Sequence, residues 1–125
     1  MALDQNLAKR ITASVEAGFS DQIDFTRTLV RFPSTRGNEH TTQDFVFRAL
    51  RDRGYAMDRF SMEPEAIGRH IGGAPFSPQH STAPVVVGIH RPRDETGRSL
   101  ILQAHVDVVP TGPEDMWRTP PFEPA

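Results

Sequence analysis

Leu100-Ile101-Leu102-Gln103-Ala104-His105-Val106-Asp107-Val108-Val109-Pro110 is the stretch on which the reading of this chain turns. Its apolar start predicts a buried strand over 100–106. In a strand, residues i and i+2 point to the same side, so His105 and Asp107 face together if the strand persists that far. Imidazole is a good ligand for Zn²⁺ or a similar divalent ion. A carboxylate beside it can take the proton of the other ring nitrogen and fix the tautomer. Asp107 could act in that way or order a neighbouring part of the site. The pair falls at the carboxyl end of the predicted strand, where open α/β sheets carry their active groups. The bland alternative is a packed histidine with a satisfied hydrogen bond.

Upstream, Val85-Val-Val-Gly-Ile89 is a second continuous apolar strand, and the charged residues 91–98 predict a turn that joins the two as a hairpin. Leu7, Ile11, Val15 and Phe19 recur every four residues and predict a helix over about 4–18, stopped by Gly18. Ser20 suits the N-cap of a second helix over about 21–31, burying Ile23, Leu29 and Val30 and ended by Pro33. Asn38 or Thr41 should cap a third over about 40–53, with Phe45, Val46, Ala49 and Leu50 inward and Gly54 closing it. Tyr55 to Phe60 reads as an edge strand. Residues 62–83 lose periodicity and read as an irregular insert. Residues 110–125 hold five prolines in sixteen positions and should lack regular structure. The class expected is α/β, with helices packed on a mostly buried mixed sheet.

Composition narrows the function classes. Fourteen basic and sixteen acidic residues give a net charge of −2, with no long basic stretch to hold a nucleic acid. Arg48, Arg51 and Arg53 read as the wet side of a helix. No cysteine is present, which excludes disulfides and thiolate metal sites and suits a reducing, cytoplasmic setting. No apolar run is long enough to span a membrane, and the first residues do not read as a secretory signal. The apolar fraction, 37%, allows only a modest core.

The string from Leu100 to Gly112, followed by Trp117 and Pro120-Pro121-Phe122, resembles the M20 metallopeptidase family, which includes acetylornithine deacetylase, succinyl-diaminopimelate desuccinylase and related amidohydrolases. The resemblance extends over the whole chain, through Leu29-Val-Arg-Phe-Pro-Ser-Thr35 and the helices around it. The stretch His105 to Phe122 is its specific part. By that resemblance residues 1–125 are the amino-terminal portion of a zinc-peptidase-like catalytic domain. The parent would hydrolyse the amide bond of an N-acylated amino acid or small peptide with a metal-activated water. His105 would be a ligand to one of two divalent ions, usually Zn²⁺, with Co²⁺ an alternative. Asp107 would be the carboxylate that orients and polarises it. The family's bridging aspartate, Glu-Glu pair, further acidic ligand and distant histidine find no counterpart in this sequence.

A single histidine leaves an ion held mostly by water. Weak or absent metal binding and no turnover are therefore expected of these residues alone. The competing reading is a non-catalytic product or assembly module that self-associates through unpaired strands. His40 reads as a water-facing residue at a helix start, and His90 as a strand-end surface residue. His70 and His80 lie in the insert without ligand spacing. Gly72-Gly73 lacks the strand-to-helix context of a phosphate loop. No serine has the context of a nucleophile elbow. Trp117 and Phe122 suit a loop at the rim of a site.

Overall fold

The structure, a computed structural model, describes residues 4–76 and 80–124. It divides into two compact units, one built from the amino-terminal helices and residues 113–124, the other from residues 33–112.

In the first unit, α1 (Gln5–Ala17) starts where Asp4 accepts the Leu7 amide at 2.9 Å. Gly18 is its C-cap, as expected, and α2 (Phe19–Val30) follows at once. Ser20 does not cap it. The Gly18 carbonyl already accepts the Gln22 amide at 3.0 Å, so the helical ladder is running before Ser20 is reached. Ile23 and Val30, expected inside, are 36% and 40% exposed, and the stripe Leu7, Ile11, Val15 and Phe19 is 42–57% exposed. The run 110–125 is not wholly irregular, since Glu114–Met116 form one 3₁₀ turn.

The second unit is organised by α3 (His40–Asp52), which packs across a sheet of β1 (Ala56–Phe60) and β2 (Val85–Ile89). The strands are antiparallel, with Ala56 opposite Ile89 and Phe60 opposite Val85. Between α3 and β1 the chain reverses at Gly54, whose φ of +83° is left-handed backbone that side-chain-bearing residues resist. Gly88 lets the helix approach. A Cβ there would stand 3.2 Å from both Leu50 Cδ1 and Tyr55 Cδ1. Arg59 of β1 reaches Asp44 of α3 at 2.6 Å and lies over the Phe47 ring.

Three expectations about this unit are corrected. The sheet is a two-stranded antiparallel ribbon, not a mostly buried mixed sheet, because α3 covers it and β1 stays largely exposed. β2 pairs with β1 rather than with residues 100–106. Those residues form no strand, and Leu100, Ile101 and Leu102 are 79–89% exposed. The insert 62–83 contains a short helix, α4 (Pro64–Arg69), with Pro64 in its first turn and an Arg69–Glu65 pair at 3.8 Å. Residues 77–79 of that insert lie outside the described residues. No helix among the described residues is long and apolar enough to cross a membrane.

Among the described residues, the buried ones of the second unit are Ser34, Glu39, Thr42 and Ala83. Three of the four are polar. Ser34 and Glu39 make a hydrogen-bonded node at the loop before α3, while Thr42 within α3 buries a hydroxyl that has no partner among the described residues.

Candidate metal-ligand segment around His105

His105 and Asp107 are brought together, although by a different route from a strand. His105 Nδ1 lies 3.1 Å from an Asp107 carboxylate oxygen and 3.0 Å from the Asp107 backbone carbonyl oxygen. Both neighbours can only accept, so Nδ1 is the nitrogen that carries the proton. In the neutral ring the lone pair is then on Nε2. The His105 side chain is 81% exposed, which leaves that lone pair accessible. The carboxylate of Asp107 is turned to the ring.

The segment is exposed, but it is anchored just beyond the histidine. The buried Ser34 hydroxyl donates to the Val106 carbonyl at 2.6 Å, and the Val108 amide donates to the Ser34 carbonyl at 3.0 Å. Thr35 and Val108 form an isolated parallel bridge. Proline at 33 takes Ser34 out of the helical register of the preceding residues, and Thr35 turns back with its amide on the Pro33 carbonyl at 2.8 Å. The histidine–aspartate segment is thus held by the loop before α3.

That loop is fixed in turn by Glu39. Its carboxylate accepts the Gly37 amide at 2.9 Å and the Ser81 hydroxyl at 2.7 Å, while Ser81 accepts the Ala83 amide at 3.0 Å. Burial alone pushes the Glu39 carboxyl up. Hydrogen bonds from Ser81, its own amide and Gly37, with the nearby charge of His40, outweigh this and hold it below its ordinary value. Neither expected cap serves α3. Asn38 turns to the Thr35 hydroxyl at 2.9 Å, and Glu39 occupies the N-cap position without a side-chain capping bond. Sequence reading gave Ser34 and Glu39 no role. The available signal was a serine just after a proline and a glutamate two residues beyond Gly37, placed to fold back on a turn.

The remaining histidines stand apart from the pair. His40 is exposed in the first turn of α3. It shares with Arg59, Phe60, Ser61, Thr82 and Pro84 a concavity of about 380 Å³, wide open to solvent, which neither His105 nor Asp107 lines. His70 accepts the Gly72 amide at 3.2 Å, His80 meets the Phe76 ring edge-on, and His90 lies against Tyr55. Trp117 and Phe122 belong to the other compact unit. Among the described residues no group of three His, Cys, Asp or Glu side chains is arranged to hold a metal ion. The donor set at His105 therefore fits one arm of a metal centre and not a complete one.

No family model matches the chain. Curated proteins do. Succinyl-diaminopimelate desuccinylase of Ralstonia nicotianae is 31% identical over 106 residues, covering 84% of this chain and 24% of that protein. The desuccinylase of Delftia acidovorans is 28% identical over 105 residues, with the same two shares of 84% and 24%. That of Methylobacillus flagellatus is 56% identical over 32 residues, 26% of this chain and 8% of that protein. The chain is homologous to a part of succinyl-diaminopimelate desuccinylase-like proteins. It spans about a quarter of the length of the first two relatives.

Proposed function

We propose that these 125 residues are the amino-terminal part of the catalytic domain of an M20-type, metal-dependent amidohydrolase. Its substrate class is an N-acylated amino acid or small peptide-like amide, and the relatives' name narrows the acyl group toward succinyl. His105 serves as a metal ligand through Nε2, and Asp107 holds its ring. Zn²⁺ is the expected ion and Co²⁺ a working substitute. The observation that carries this reading is the His105–Asp107 pair itself. Its Nδ1–H is held in hydrogen bonds to the aspartate, so the lone pair on the outward nitrogen is left to bind a metal.

A bound divalent ion would supply a water of lowered pKa and positive charge near the developing oxyanion. The contribution of this chain is narrower. Asp107 fixes the tautomer of His105 and strengthens Nε2 as a donor. The remaining ligands and the proton-accepting carboxylate come from elsewhere in the longer protein. Residues 1–125 by themselves supply one ligand arm, so they turn over no amide and bind metal weakly.

The polypeptide of the complete reading frame should hydrolyse N-succinyl or N-acetyl amino acids and stop when chelated. Zn²⁺ or Co²⁺ should restore turnover. A metal-replete polypeptide of full length that cleaves none of a panel of N-acyl amino acids would refute the assignment.

A second reading has its own observation. Leu100, Ile101 and Leu102 form an exposed apolar run, and each strand of the two-stranded sheet has an edge unpaired among the described residues. As a separate molecule the chain is then a self-associating, non-catalytic module.

A further inference from the structure

We propose that Ser34 is a positioning residue for His105 and Asp107, an inference that rests on the role proposed for that pair. Ser34 is 3% exposed and sits 72 positions from the residue it grips. Its hydroxyl and its carbonyl bond on either side of Asp107, to the Val106 carbonyl at 2.6 Å and the Val108 amide at 3.0 Å. The two bonds set the backbone direction on both sides of the aspartate. They thereby set where its carboxylate and its own carbonyl oxygen meet the His105 ring.

Among the described residues, the other backbone tie on this segment is the Thr35–Val108 bridge next to Ser34. Residues 100–106 have no ladder partner among the described residues, and His105 is exposed. A free chain would sample many Asp107 rotamers, and the Nδ1 contact would be occasional. Ser34 can hold the segment because it is itself held. Pro33 and Thr35 form its turn, and Glu39 clamps Gly37 on one side and Ser81 on the other. The hydroxyl is also too well buried for water to replace the protein contact freely. The Val106 carbonyl would lose its partner if the hydroxyl were deleted. Ser34 does not touch the reacting atoms; it acts through the geometry of Asp107, which lies between its acceptor Val106 and its donor Val108, and of His105 just before them.

The test is imidazole ¹⁵N NMR on the 125-residue chain above the titration range of histidine, with amide hydrogen exchange on the same samples. In the native chain His105 should be mainly the Nδ1–H tautomer. Ser34→Ala should shift the ring toward the mixture seen in a free imidazole. It should also speed Val108 amide exchange about tenfold, the scale of one lost hydrogen bond. Ser34→Thr, which keeps the hydroxyl, should restore both. Exchange in α3 and in the β1–β2 ladder reports whether the unit stays folded. If Ser34→Ala unfolds it, Val108→Pro removes one of the two bonds while leaving Ser34 in place, and the same loss of tautomer preference is expected. A folded Ser34→Ala or Val108→Pro chain with an unchanged His105 tautomer would overturn the role of Ser34 alone. A native chain with no tautomer preference would instead contradict the His105–Asp107 pair, and the positioning role with it.

Discussion

His105 and Asp107 touch through one ring nitrogen and two oxygens of the same residue, at 3.0 and 3.1 Å. That double contact makes the aspartate more than a nearby charge, because it leaves the ring only one tautomer that satisfies both acceptors. If the proposed function holds, Asp107→Asn in the polypeptide of the complete reading frame should keep the shape of the segment but lower activity or metal affinity roughly 10–100-fold, the usual effect of removing the partner of a ligating histidine. Steady-state kinetics with metal titration checks this, and unchanged values would deny Asp107 its role.

Glu39 should make the second unit acid-sensitive. Its carboxyl is held below its ordinary value of 4.5 in the folded state, so the stability it contributes is present above the unfolded value and lost as the pH falls through the folded one. Glu39→Gln should flatten that loss in urea titrations run from neutral pH down to acid. Glu39→Ala should cost about 2 kcal/mol at neutral pH, the range of charge-assisted hydrogen bonds to a buried group. An alanine variant as stable as the native chain would show that the node does not bind the loop.

Gly54→Ala isolates backbone strain. A Cβ at this position meets nothing within 4 Å, so the only penalty is the left-handed φ of +83°. The expected loss is about 1–2 kcal/mol by chemical denaturation. No loss would mean that the turn between α3 and β1 relaxes out of that conformation.

The amino-terminal and central helices were legible because their signals are local. Gly18 and Gly54 stop α1 and α3 where the periodicity ends, and Pro33 bars further helix after α2. The strand at 85–89 was legible from its β-branched run. The strand expected at 100–106 was not realised. An apolar run states only that a segment can be buried, while a strand also needs a free edge to pair with. β2 takes β1 as its partner, and the 100–106 segment is held at its far end by the Ser34 bond to Val106. The node of Ser34, Glu39 and Ser81 escaped the reading for a related reason. A serine or glutamate in a polar loop looks solvated until contacts between distant positions bury it. In α4, Pro64 followed by Glu65 was a start signal that the surrounding glycines and prolines obscured.

The exposed Leu100-Ile101-Leu102 run should drive association. Sedimentation of the 125-residue chain is expected to show oligomers, and Ile101→Glu with Leu102→Glu should shift the distribution toward monomer. A native chain that sediments as a sharp monomer at high concentration would remove the self-association reading.

The central claim is that His105 is a metal ligand of an amidohydrolase, and metal stoichiometry tests it most directly. The polypeptide of the complete reading frame and its His105→Ala variant should be purified, stripped, reloaded with Zn²⁺ and measured by atomic absorption beside an N-succinyl amino acid hydrolysis assay. The account predicts that the variant retains its fold, holds less tightly bound zinc than the native protein and loses at least about 100-fold in turnover, in keeping with removal of a ligand to the catalytic ion. Equal zinc content and equal turnover in the two proteins would contradict it.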